Sequence, residues 1–329
     1  MRYQRAGIAT AVLAAAAACL VSVAGPAQAG LVTSCTGTAS DVTVPGDLFV
    51  PAGESCELTN VTVNGNTTVR ADANLILKTS NLTGTLTVAG NGYADLTSST
   101  VAGATRLNSG FGLNSQSSTF TGNVTVTGSG FAYSVGSTFA GNITSTSGET
   151  YLQSGRVARN IATTGDQLTD MYDTVVGGKV TVADAALGSV VCTSEIDGDT
   201  SFSGAGDAGV VQIGAQVPVS GCGFDVFAAG LTLAGNHAPI TISDNVVRGV
   251  LACMDNDAAP TGSGNRLRGG ATGQCAGLAG SAAAATASSK AAGATAATDR
   301  AAGILAKIGS RHSTGERAAI ATGRAVISH

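Results

Sequence analysis

Residues 82–100, 101–119 and 120–138 read LTGTLTVAGNGYADLTSST, VAGATRLNSGFGLNSQSST and FTGNVTVTGSGFAYSVGST. Each stretch is 19 residues long and opens on an apolar residue with glycine two places on. Outward from these three, the phrase begins at Val44, Val63, Leu82, Val101, Phe120, Phe139, Val157, Val176 and Ile196, returning every 18 to 20 residues. Gly46, Gly65, Gly84, Gly103, Gly122, Gly141, Gly178 and Gly198 fill the third place, and only Arg159 breaks the column. A fixed period of this length marks a repeat array, in which each unit buries its apolar face against its neighbours.

A finer rhythm lies inside the repeat. Apolar positions recur six residues apart, as in Val44, Val50, Cys56 and in Val101, Leu107, Leu113, and one extra residue resets the count. Within a side the alternation has period two, with Val124 and Val126 between Asn123, Thr125 and Thr127. That is the pattern of a strand with one buried face, and helical spacing does not fit it. Gly90, Gly128, Gly165 and Gly204 fall where the chain must turn a tight corner. The spacing predicts an all-β, single-stranded parallel β-helix of about 19 residues per coil with a narrow three-sided section. Coils ~4.8 Å apart would make a rod on the order of 50 Å long. Right-handed winding is expected from the bias of parallel crossovers. A left-handed hexapeptide-type helix also suits six-residue sides.

The expected organisation is a signal peptide over 1–29, an N-terminal cap over 30–43, the β-helix over 44–275 and a tail over 276–329. Arg2 and Arg5 precede an apolar run, and Ala27-Gln28-Ala29 supplies small residues for cleavage before Gly30. Cys19 offers a lipid-anchor alternative, but the leucine usual three places before it is missing. No later stretch is long and apolar enough to span a bilayer. The chain is read as secreted, extracellular or wall-associated. Without the signal, six of the seven cysteines remain, an even number that suits an exported protein with disulfides. Cys35 and Cys56 are 21 apart and Cys253 and Cys275 are 22 apart, each close to one coil, which leaves Cys192 to join Cys222. The alternative is that some are small buried core residues. No CxxC occurs and His237, His312 and His329 have no ligand spacing, so zinc is not expected.

The net charge of -4 hides an asymmetry. The tail from Ala276 carries six Lys or Arg against Asp299 and Glu316, or +4; setting aside the two signal arginines leaves -10 on the body. So acidic a body excludes nucleic acid as the expected partner. The tail is rich in Ala, Gly, Ser and Thr and is read as a flexible or partly helical extension, with a short helix over Ala301 to Ile308. A weak contact of this basic tail with anionic wall polymers is the sharper alternative. Between Asp207 and Pro239 the rhythm loosens, with Val219-Ser220-Gly221 restarting the phrase late, and an enlarged coil with a loop is expected there.

The phrase resumes at Val247-Arg248-Gly249 and Leu267-Arg268-Gly269. In residues 245–253 (NVVRGVLAC), 260–269 (PTGSGNRLRG) and 273–275 (GQC), the chain resembles a group of secreted actinomycete proteins with parallel β-helix repeats and no assigned activity. The resemblance covers the C-terminal cap specifically and the rest only as a repeat style. Such proteins end soon after the Gly-Gln-Cys element, so the long tail departs from them.

Candidate chemistry is sparse. Asp184 follows Asp166 by 18 residues, suggesting stacked carboxylates, and Asp197-Gly198-Asp199 suggests two on one strand face. Such groups can hold a cation or share a proton, but as solvated turn residues they need no such role, and the spacing matches no calcium loop. Calcium is therefore the single cofactor weighed, and otherwise none is expected. Arg248 and Arg268 stand at equivalent places on successive coils; they either pair with acids such as Asp244 and Asp255 or receive an anion. The absence of Trp weighs against sugar processing, and Tyr93, Tyr133 and Tyr151 are read as corner packing rather than an exposed strip. On the first outer face, Thr85 and Thr87 form the one full Thr-x-Thr pair, beside Asn123, Thr125, Asn142, Thr144, Lys179 and Thr181.

These readings favour a non-catalytic β-helix serving as a surface, adhesive or assembly module, with extracellular polysaccharide or cell-wall polymer as partner. A polysaccharide lyase or glycoside hydrolase is the alternative by analogy of fold. Binding of ice or a carbohydrate lattice through the Thr and Asn face is the third.

Overall fold

The computed structural model describes residues 32–214, 222–280 and 301–327. The signal region, Cys19, Val219 to Gly221 and residues 281–300 lie outside the described residues. The chain winds into a parallel β-solenoid whose three sheets contain 13, 11 and 12 strands. We call these sheets A, B and C in that order. Every strand pairs with its counterpart one coil away, as in Leu86↔Thr105, Thr105↔Val124 and Val124↔Ile143. The step shortens to 18 at Ile143↔Ile161, the coil that carries Arg159.

The inward columns are those of the sequence rhythm. Val63, Leu82, Val101, Phe120, Phe139, Val157, Val176 and Ile196 are all buried, and Phe120 stacks on Phe139 at 4.9 Å. Burying each such side chain contributes roughly 1.5–3 kcal/mol, and a rod sums many of them. The glycine column has a steric cause. A Cβ on Gly103 would run into the backbone of Gly84, and one on Gly122 into that of Gly103. A second column turns the corner between sheets A and B: Gly90, Ser109, Gly128, Ser147, Gly165, Asp184 and Gly204 all have positive φ. Where glycine is absent, Ser and Asp take its place, residues that tolerate the left-handed region better than most.

The corner between sheets B and C is held by a buried polar ladder. Ser80, Ser99, Ser118 and Ser137 each accept, through Oγ, the backbone N–H of the residue one coil earlier, at 3.1 Å in every case. These amides turn away from the sheets, and a side chain from the next coil supplies the acceptor that burial demands.

Disulfides join Cys35–Cys56, Cys192–Cys222 and Cys253–Cys275, with Cα–Cα distances of 5.6, 5.0 and 5.2 Å. The first and last lie in the inner core, whereas Cys192–Cys222 lies with the apolar cluster outside sheet B. Loops of 21 to 30 residues closed this way are worth roughly 3–4 kcal/mol each in a chain-entropy account. The enlarged coil spans Thr200↔Leu231 in sheet A and Ile196↔Phe227 in sheet C, a step of 31 residues. Phe227 thus continues the inner column.

The tail differs from expectation. Its helix extends over Ala302–Thr322, well beyond Ile308, and packs on the outer face of sheet B. Buried positions Ala301, Ile304, Ile308, Gly315 and Ala319 follow helical spacing. The stripe escapes a hydropathy reading because its second half is Gly and Ala. Those small residues are required by closeness: a Cβ on Gly315 would lie 2.9 Å from that of Asn74. A helix of 21 residues is about 32 Å long and so runs past between six and seven coils at ~4.8 Å each. Beyond it the chain reaches the first strand of sheet B, where Thr38 N–H donates to the Gly323 carbonyl at 2.8 Å and Ala325 N–H donates to the Thr38 carbonyl at 2.8 Å. No helix among the described residues is long and apolar enough to cross a membrane.

Candidate functional faces

Sheet B is buried on both sides. In Tyr93–Thr97, Ala94 and Leu96 point into the rod, while Tyr93 and Asp95 point outward and are buried all the same. Tyr93, Phe131, Tyr133, Tyr151 and Tyr172 form one apolar layer with Ala301, Ile304 and Ile308 of the helix. Tyr133 stacks on Tyr151 at 4.9 Å, and Phe111 meets Phe131 edge-on at 5.5 Å. The tyrosines are neither corner packing nor an exposed strip. Parity along the strand, Tyr93 two places from Asp95 and on the face opposite Ala94, was the signal that placed them outward.

Polar residues fix the helix over this layer. Tyr93 donates to Asp95 Oδ2 at 2.6 Å, and His312 Nδ1 lies 2.9 Å from the same oxygen. Burial, with the Asp95 carboxylate beside it, pushes the Tyr93 phenol well above its ordinary range. Lys78 bridges Glu57 at 2.7 Å and Glu316 at 3.0 Å. The hydrogen bond to Glu57 raises the lysine, and the hydrogen bond from Lys78 lowers Glu316. Arg311 donates to Asn74 Oδ1 at 2.6 Å and to the Asp72 and Asn91 carbonyls, and Lys307 pairs with Glu149 at 2.8 Å. A cavity of about 400 Å³ lined by Asp95, Asn114, Gln116, Ile308 and His312 lies along this seam.

Among the described residues no element packs on the outer side of sheet A. One outward column runs Thr68, Thr87, Arg106, Thr125, Thr144, Ala162, Thr181, Ser201, each in register with the next. The adjoining column contains Asn108, Thr127, Thr146 and Thr164. Thr125 therefore teams with Thr127, and Thr144 with Thr146, so two successive coils carry a full Thr-x-Thr pair on these columns.

The carboxylates singled out in the sequence are dispersed. Asp166 is fully buried, accepting from Ser145 Oγ at 2.8 Å, Gly148 N–H at 2.9 Å and Thr150 Oγ1 at 2.9 Å. Burial pushes its pKa up, against the pull of those three donors. Thr164 pairs with Ala183, so Gly165 rather than Asp166 lies beside Asp184. The slip of one residue sends Asp166 inward and leaves Asp184 exposed at its corner. Asp197 and Asp199 are exposed and flank the bend at Gly198, outside either strand, and Asp199 faces Lys179 at 3.5 Å. Among the described residues no three His, Cys, Asp or Glu gather as a metal-binding group. Arg248 and Arg268 are exposed on adjacent coils, with Arg268 N–H donating to the Val247 carbonyl. Neither joins an ion pair among the described residues, so the pairing expected with Asp244 and Asp255 is not made.

Compared with protein-family models, with curated proteins and with solved structures, the chain finds no match.

Proposed function

We propose that this chain is an extracellular, non-catalytic β-solenoid module that binds an extended polymer, a cell-surface or cell-wall polysaccharide, along the outer face of sheet A. The observation that carries the reading is the contrast between a sheathed sheet B and a sheet A whose outer side no described element covers and whose in-register columns are mainly Thr, Asn and Ser. Hydroxyl and amide groups repeated at strand spacing, interrupted at Arg106 and Ala162, offer similar donors and acceptors to successive units of a repeating ligand. Three disulfides suit an oxidising compartment, consistent with secretion and with the resemblance in the C-terminal cap. The test is co-sedimentation of the disulfide-intact protein with insoluble plant, fungal and bacterial polysaccharides, scoring new reducing or unsaturated ends in the same tubes. Retention without cleavage, lost in a Thr125→Lys, Thr144→Lys double variant that melts normally, is the expected result. New chain ends would establish an enzyme instead.

The Thr-x-Thr pairs favour a second reading of the same face, binding of an ice lattice. Inhibition of ice recrystallisation by a protein that no polysaccharide retains would select it.

A further inference from the structure

After a gap at Gly155, the polar ladder between sheets B and C resumes at Thr174. Thr174 N–H donates to Ser194 Oγ at 3.2 Å, Ser194 N–H to Asp225 Oδ1 at 2.7 Å, Asp225 N–H to Asn245 Oδ1 at 2.9 Å and Asn245 N–H to Asn265 Oδ1 at 3.1 Å. Each neutral member also gives a proton back to the sheet B column beneath it. Asn245 donates to the Ile213 carbonyl at 2.8 Å and Asn265 to Ile242 at 2.8 Å, while the Ser194 hydroxyl lies between the Cys192 carbonyl at 3.1 Å and the Met171 carbonyl at 3.4 Å. Met171, Ile213 and Ile242 belong to one register, Met171↔Val191↔Ile213↔Ile242. The place in this series that corresponds to Val191 is held by Asp225, the one residue of the run with an ionisable side chain.

Asp225 is fully buried, and among the described residues its Oδ2 accepts no hydrogen bond that meets ordinary geometry. Among the described residues the Ser194 and Gly214 amides are the groups that act on its carboxyl, while Asn245 Oδ1 accepts its backbone N–H; none of these titrates, and the nearby Cys192–Cys222 bridge carries no proton. Glu195 and Asp244, adjacent in sequence to its ladder neighbours, exert no resolved field on it. An ionised carboxylate here would be a buried charge with backbone amides alone, and no cation among the described residues, to offset it.

We propose that Asp225 is the neutral acid of this ladder in the folded protein, its Oδ2–H serving the Val191 carbonyl as the Asn245 and Asn265 amides serve theirs, so that one buried proton completes the closure of the enlarged coil. The geometry makes stability depend on pH. Burial pushes the carboxyl from 3.8 up to about 8 in the folded state. Because the folded value is raised, the contribution is complete below about pH 4. It shrinks as pH rises and the unfolded chain ionises first, and is gone once pH passes about 8.

The test is thermal melting of the disulfide-intact chain from pH 5 to pH 9, wild type against Asp225→Asn and Asp225→Ser, the residues found at neighbouring rungs. The wild-type midpoint should fall relative to either variant by about 2–4 °C per pH unit below pH 8 and then run parallel to it. Parallel lines throughout would overturn the proposal. The Asp225 13Cγ resonance of the wild type probes the same proton without a variant: titration near pH 8 supports the proposal, and titration in the ordinary carboxylate range sinks it.

Discussion

Sheets A and B share one backbone, one period and one inward alternation, yet their outer columns have opposite character. Outside sheet A stand Thr, Asn and Ser; outside sheet B stand Tyr93, Phe131, Tyr151 and Asp95, covered by the C-terminal helix. The coil is therefore a frame whose outward residues are free to specify what lies against them. On one side that is the chain's own helix, and on the other we infer a ligand.

Removing residues 301–329 should have the largest effect on this contrast. It re-exposes the Tyr and Phe layer, at roughly 1.5–3 kcal/mol for each side chain uncovered. Dye binding to apolar surface and loss of the monomer peak in size-exclusion chromatography should follow. A monomer with unchanged melting would mean that sheet B needs no cover. A smaller perturbation of the same seam is Gly315→Val, whose new side chain meets Asn74. Overpacking of this kind costs about 1–3 kcal/mol and should raise amide exchange in the helix while sparing the coils. Glu316→Gln removes a carboxylate from a half-exposed pair with Lys78 and should cost at most about 1 kcal/mol, less at high salt. On sheet A, Thr144→Lys should change the melting point least, by no more than about 0.5 kcal/mol equivalent, because its side chain is exposed and its strand is held from within. Any larger loss would show that the bare face is structural.

The frame was legible because its signal is repeated. Val63, Leu82, Val101 and Phe120 mark one column four times over, and the glycine column marks the corner beside it. The serines at 80, 99, 118 and 137 carry an equally regular message, but polar residues at coil spacing look like surface until the corner turns them inward. The helix was hidden for a different reason. Half of its buried stripe is Gly315 and Ala319, and its most specific contacts are those of Arg311, His312 and Glu316, none of which registers as apolar. Asp166 and Asp184 show what an uneven period conceals. The 18-residue step lies one coil earlier, at Ile143↔Ile161; from Ile161 to Val180 the step is 19, so a spacing of 18 leaves Asp166 one position out of register with Asp184.

One helical turn advances about 5.4 Å and one coil about 4.8 Å, so helix and coils advance along the seam by comparable steps. Lys307, His312, Glu316 and Gly323 meet Glu149, Asp95, Lys78 and Thr38 in descending coil order. Repeat arrays ordinarily grow and shrink by duplicating or losing a unit. Here a coil gained between Thr38 and Glu149 would strand the end of the tail one unit short unless about three helical residues were gained as well. The tail thus works as a tally of the repeats it crosses, fixing their number where the solenoid alone would leave it open, and new coils are free to enter only beyond its reach, toward the C-terminal cap.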